Sequence, residues 1–176
     1  MVILATPRLL LVPLSRTMIA TRLQRDDFSL DCELPGEVAS VHFGPEWPGD
    51  AAEHYPDFLL YLGDASYVDG AFVAVERLSL EAVGQIGTSG AVDDGGGVEI
   101  GYGINASRWG IGLATEAVAA VTAHLLSRPG IARVTARTAV GNTASGRVLE
   151  ANRFVRAGEA PSEGDGMVLW VRERRG

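Results

Sequence analysis

"GYGINASRWGIGLATEA", residues Gly101–Ala117, sets four glycines and a tryptophan directly before a run with helical periodicity. Glycine at this density costs conformational entropy unless the backbone must turn sharply or be approached closely. Upstream, "VEIGYGI" (Val98–Ile104) reads as a strand; downstream, Leu113, Ala117, Val121 and Leu125 recur every four residues, one stripe of an amphipathic helix. The stretch is therefore a strand–loop–helix junction. Amides at a helix N-terminus lack intrahelical partners and carry partial positive charge, so they attract phosphate. Gly110 and Gly112 would let a pyrophosphate reach them without meeting Cβ atoms. Known nucleotide fingerprints do not fit: "GIGLAT" has Thr115 where a dinucleotide motif needs Gly or Ala, and a chain without lysine has no Walker motif. The spacing points to a different anionic ligand.

The 176 residues suit one domain, 1–176, with a substantial core, and a composition 47% hydrophobic and 21% charged is that of a soluble globular protein. No apolar run is long enough to cross a membrane. The opening "MVILATPRLLLVPLS" contains Arg8 and two prolines without a basic leader, so it reads as a strand, not a signal peptide. A lone cysteine, Cys32, excludes an internal disulfide framework and fits a reducing, cytoplasmic setting. The net charge of −7 is uneven: residues 1–100 hold 5 arginines against 16 acids, residues 101–176 hold 10 against 6. The first part suits a cationic ligand and the second an anionic one, although a solvated acidic surface explains the charge as well. No basic cluster interleaved with aromatics suggests nucleic acid.

Along the chain, "RLLLVPL" predicts a strand and "RTMIATRLQRDD" a helix. "GEVASVHFGPEWPGD" reads as irregular, and Asp50 as the cap of a helix with Pro56 in its first turns. "AFVAVER", "VGQIGTSGAV" and "GVEIGYGI" are short strands suited to antiparallel hairpins. After the helix from Gly112, stopped by "RPG", come the strand "ARVTARTAV", a helix capped by Asn142, and the strands "FVRAGEA" and "MVLWVRE". Strands first, then βαβαββ, give an α/β (α+β) sheet of mixed direction.

"WGIGLA" followed by "TEA" resembles the acyl-CoA pyrophosphate loop of the GNAT superfamily of N-acyltransferases. "VEIGYGI" and "NTASGRVLEANRF" (Asn142–Phe154) match in the same order and spacing, most closely in the RimJ/RimL-like branch that acetylates ribosomal-protein N-termini. The resemblance is strong over residues 82–160 and weak before them, although "TPRLLLVPL" is also similar to that branch's opening. It implies a single GNAT-like domain with a mostly antiparallel sheet of about seven strands, splayed at the acyl-CoA site and flanked by helices. Residues 82–160 would form the acyl-CoA core and 1–65 the acceptor side. Two positions depart from the family: Trp109 replaces the usual Gln or Arg, and Arg153-Phe154 replaces Gly-Phe, at a turn where arginine opposes positive φ.

The resemblance further implies acetyl-CoA as co-substrate, no metal, and direct attack of a primary amine on the thioester. The acceptor would be a protein N-terminus or a cationic small molecule, and a homodimer is left open. The loop Trp109, Gly110, Ile111, Gly112, Leu113, Ala114 and Thr115 would hold the pyrophosphate, with Arg108 adding charge. The amide arm would pair with the strand at Tyr102, Gly103 and Ile104, where a backbone N–H would face the oxyanion. Glu99 is the candidate base, or else a solvent-facing strand residue. The usual tyrosine proton donor is Leu149 here, and Ser145 takes the branch's leaving-group position, unless it is a cap. Asn142 is a cap or a pantetheine partner, and Arg147 meets a CoA phosphate or pairs with Glu150. His42, Glu46 and Trp47 are candidate walls of the acceptor pocket. Two rivals share these features: a non-catalytic acyl-CoA sensor and a nucleotide-binding module.

Overall fold

The computed structural model describes residues 2–159 and 166–174. Among them are ten strands and four α-helices. The chain divides into two compact units, residues 1–87 with 102–117 and residues 88–101 with 118–176.

In the first unit, β1 (Leu4–Ala5) pairs antiparallel with β2 (Leu9–Ser15). The run LLLVPLS buries its first six side chains, as a strand covered on both faces does. Pro13 lies within it, and the ladder to the next strand shifts register between Pro13 and Ser15, where the missing N–H is tolerated. Ser15 caps α1 (Arg16–Arg22), its Oγ accepting the Met18 N–H at 3.1 Å. The stretch expected to be irregular, from Gly36 to Asp50, supplies β4 (Glu37–Phe43), which forms a hairpin with β3 (Phe28–Leu34) through Pro35-Gly36, with Gly36 at φ +90°. Proline followed by a positive-φ glycine is the chemistry of a type II turn.

Asp50 caps no α-helix. A 3₁₀ turn over Gly49–His54 leads into α2 (Tyr55–Leu62), whose first turn accommodates Pro56. The antiparallel strands β5 (Tyr67–Glu76) and β6 (Glu81–Ser89) complete the order β1-β2-β5-β6, with β4 meeting β6 in parallel at His42↔Glu81. Phe28 stacks on Phe43 at 4.9 Å, Trp47 stands edge-on to Phe43 at 4.8 Å, and the Arg22 guanidinium covers Phe28 and Trp47. These rings anchor the unit's core.

β7 (Gly97–Ile104) begins in the second unit and ends in the first; α3 (Leu113–Ser127) does the reverse. Within the second unit β7 runs parallel to β8 (Arg133–Ala139), pairing Gly97 with Arg133, Val98 with Val134 and Glu99 with Thr135. β8 pairs antiparallel with β10 (Met167–Glu173) along its whole length, and β10 with β9 (Val155–Glu159). Ala160, the end of the expected strand "FVRAGEA", lies outside the described residues. The strand total exceeds the expected seven because of the β3–β4 hairpin and the short β1.

α4 (Thr143–Ala151) is capped at both ends. Asn142 Oδ1 accepts the Ser145 N–H at 3.0 Å. At the other end Arg153 sits at φ +63°, its N–H bonds Glu150 O at 2.9 Å, and Phe154 N–H bonds Leu149 O at 3.0 Å. This is a Schellman motif, closed by buried Phe154 against buried Leu149. Arginine therefore takes the left-handed conformation usually given to glycine, and the turn survives.

Candidate active site

The first unit fixes the glycine-rich loop from four directions. Asn105, buried at the end of β7, accepts into the chain turn from Arg108 N–H and donates to Val83 O and Ala82 O of β6. The Trp109 indole N–H folds back onto Ile104 O at 2.6 Å while its ring stays 70% exposed. Glu46 accepts from both the N–H and the hydroxyl of Ser107, at 3.1 and 2.7 Å, and those bonds hold its carboxyl below the usual range. On the far side, Arg8 Nη1 donates to Ile111 O at 2.7 Å.

Beyond these tethers the loop is open. Gly110 and Gly112 adopt φ +77° and +83°, a region that favours glycine. A Cβ on Gly110 would meet nothing within 4 Å, and one on Gly112 only Arg8 Nη2, at 3.5 Å. The first helical hydrogen bond runs from Glu116 N–H to Gly112 O at 3.2 Å. Among the described residues, the N–H groups of Gly110, Ile111, Gly112, Leu113 and Ala114 donate to no backbone carbonyl. Five consecutive amides at the head of a 15-residue helix are donors suited to a phosphate group.

Arg108 is placed differently from expectation. Its guanidinium lies 2.6 Å from Glu81 and 3.5 Å from Glu76, so two carboxylates already neutralise it. It secures the loop's base to β5 and β6 instead of presenting a free charge. Trp47 is likewise no pocket wall: it is 1% exposed, and its indole N–H bonds Gly84 O at 3.2 Å inside the aromatic core. Of the other acceptor-side candidates, Glu46 is exposed beside the loop through Ser107, and His42 pairs with Asp27 at 3.1 Å.

The glycine demanded by close approach on this side is Gly84 of β6. A Cβ there would fall 2.4 Å from Gly103 O, whereas the Cβ positions of Gly101 and Gly103 face open space. Tyr102 and Ile104 are half-buried.

In the second unit Glu99 accepts from Arg137 Nε at 3.0 Å, so one carboxylate oxygen is engaged. Asn142 performs the capping for which Ser145 was also a candidate; Ser145, half-buried, supplies the N–H that the cap receives. Asn142→Ala should cost about 1 kcal/mol of stability, read from chemical denaturation. Arg147 is exposed and makes no ion pair with another described residue, Glu150 included. Leu149 is fully buried.

Sequence reasoning missed Thr6, Arg8 and Glu116. Glu116, in the first turn of α3, accepts from the Thr6 hydroxyl at 2.5 Å, the Arg8 N–H at 2.8 Å and Arg8 Nε at 2.7 Å. Burial pushes its carboxyl up, but these hydrogen bonds outweigh that and leave it below the usual range. The signal was present in "TPR" near the start and "TEA" after the loop.

A mixed sheet and a glycine loop with unpaired amides at the head of a helix form an arrangement suited to an anionic group. The chain belongs to the GNAT acetyltransferase family: the family's domain model matches residues 8–155. It is 30% identical over 158 residues to the uncharacterized N-acetyltransferase YjdG of Bacillus subtilis, covering 88% of this chain and 90% of that one. Its structure resembles a putative GNAT-family acetyltransferase from Bordetella pertussis, with 25% identity, TM-score 0.65, and coverage of 98% and 99% of the two chains. The fold is shared with the ribosomal alpha-N-protein acetyltransferase RimL, solved with coenzyme A, at 19% identity, TM-score 0.65 and 98% coverage of both chains. Among the described residues no cluster of His, Cys, Asp or Glu could hold a metal ion, and no helix is long and apolar enough to cross a membrane.

Proposed function

We propose that this protein is an acetyl-CoA-dependent N-acetyltransferase acting on a primary amine. The observation that carries the reading is the run of five unpaired amides from Gly110 to Ala114, exposed by two positive-φ glycines. That surface fits the pyrophosphate of an acyl-CoA. Acetyl-CoA supplies a thioester, whose carbonyl carbon gains a bond to the amine nitrogen and loses its bond to sulfur. Tyr102, Gly103 and Ile104 are assigned to the amide arm and the oxyanion, by β-strand addition and a backbone N–H. Ser145 is assigned the proton or hydrogen bond that the departing thiolate requires, and Asn142 and Arg147 contacts to the cofactor.

The acceptor must arrive neutral or be deprotonated on the enzyme. A lysine-like amine, with a pKa of about 10.4, gains more from a base than an α-amine of about 8. Glu99 is the proposed base, acting through water from the oxygen that Arg137 leaves unengaged. Glu99→Gln should lower the rate near neutral pH, with the deficit shrinking as pH approaches the amine's own pKa. A loss of equal size at every pH assigns Glu99 to holding Arg137.

The acidic first part of the chain supports a cationic acceptor, with Glu46 and His42 as proposed contacts. Ribosomal-protein N-termini, the substrate of the RimJ/RimL-like branch, are one such class, and small polyamines are another. Ligand specificity tests the reading. Coenzyme A at 100 times its dissociation constant should stabilise the fold by about 2.7 kcal/mol. An equal shift with ATP or NAD, and none with coenzyme A, supports a nucleotide-binding module instead.

A further inference from the structure

The sequence offers Arg108 as the pyrophosphate's cation, yet the structure commits that guanidinium to Glu81 and Glu76. The arginine that reaches the glycine loop itself is Arg8. Its side chain is 45% exposed and is held at two points: Nε on Glu116 at 2.7 Å and Nη1 on Ile111 O at 2.7 Å. Glu116 is held in turn by the Thr6 hydroxyl and by the Arg8 backbone N–H. A guanidinium has five N–H donors in a rigid plane, so this arrangement leaves both Nη2 donors uncommitted among the described residues. Nη2 lies 3.5 Å from the point where a Gly112 Cβ would stand, on the side of the loop that glycine keeps clear.

We infer that Arg8 is the positioning and charge-supplying residue of the pyrophosphate loop. It pins the Ile111 carbonyl so that the neighbouring amides face outward, and its Nη2 supplies a charge-assisted hydrogen bond to a diphosphate. One arginine thus ties the N-terminal segment to the first turn of α3 and to the ligand. Glu116 orients the fork through Nε, and this single carboxylate leaves both Nη2 donors to meet the ligand. Lysine would not substitute: a single ammonium cannot satisfy Glu116, the Ile111 carbonyl and a phosphate in one plane.

The inference rests on the acetyl-CoA reading, and a comparison of donors separates the two. Acetyl-CoA carries the diphosphate; S-acetylpantetheine carries the same thioester and amide arm without any phosphate. Arg8→Ala should reduce kcat/KM with acetyl-CoA about 10-fold, through KM, and leave kcat/KM with S-acetylpantetheine unchanged. Arg8→Lys should recover less than half of the loss, on a logarithmic scale. If Arg8→Ala does not fold, Arg8→Gln, which retains a donor for Glu116, should show the same donor-selective deficit. Equal losses on both donors, full recovery with lysine, or no loss at all would each overturn the inference. Wild-type protein that transfers from neither donor would overturn the acetyltransferase reading itself.

Discussion

Gly112→Val should weaken coenzyme A binding by about 100-fold, a larger effect than its cost to folding. Gly112 stands at φ +83° as the residue whose carbonyl accepts the first hydrogen bond of α3. A left-handed conformation costs an L-residue roughly 1–2 kcal/mol. Space is not limiting in the free protein, since the nearest atom to a Cβ there is Arg8 Nη2 at 3.5 Å. The fold therefore tolerates the branch at a modest penalty, and the ligand meets it directly. Losing two charge-assisted hydrogen bonds of about 1.5 kcal/mol each corresponds to about 100-fold in affinity. Calorimetric titration with coenzyme A and denaturation of the same variant separate the two effects. Unchanged affinity with collapsed stability would show that the glycine serves only the turn.

The second large effect concerns Ser145. Its proposed role acts on charge that develops as the carbon–sulfur bond breaks, so it lowers the barrier without strengthening ground-state binding. Ser145→Ala should reduce kcat by about 10²-fold, the low end for positioned proton donors, because a CoA thiol is already a fair leaving group. The coenzyme A dissociation constant should stay within about twofold of wild type. Asn142 accepts the Ser145 N–H at 3.0 Å, a bond that alanine at 145 retains. The stability loss expected of a missing cap belongs to Asn142→Ala and should be absent from Ser145→Ala. Full turnover in Ser145→Ala would pass the leaving-group role elsewhere.

The parts of this protein that could be read from its sequence are those governed by local rules. Glycines flanked by a strand pattern and a four-residue apolar stripe announced β7, the loop and α3. Asn142 before an apolar-periodic run announced the cap of α4. The positive φ required at Arg153 was equally legible, and the structure meets it with the two Schellman hydrogen bonds. The β3–β4 hairpin was legible by the same rules and was missed: Pro35-Gly36 is good turn chemistry, Phe28, Leu30, Cys32 and Leu34 alternate with polar residues, and so do Ala39, Val41 and Phe43.

Long-range pairing was hidden. Trp47 stands among glycines and prolines that suggest an exposed loop, yet it packs against aromatic rings of α2, β3 and β4, beneath Arg22. The exchange of roles between Arg108 and Arg8 has the same origin. One is neutralised by acids about thirty residues upstream, and the other is organised by a glutamate more than a hundred residues downstream. No local pattern encodes such pairs; the sheet has to form before the charges meet.

Amine-dependent thiol release from acetyl-CoA, with the mass of the amine followed in the same reaction, decides whether this protein transfers an acetyl group. A panel of N-terminal peptides and small cationic amines would be offered at neutral and mildly alkaline pH. An acetyltransferase should release one free thiol per acetylated amine, each amine gaining the mass of a single acetyl group, at a rate that depends on the amine. Tight coenzyme A binding without an acetylated product from any amine would contradict that activity, and would make the protein a non-catalytic acyl-CoA sensor.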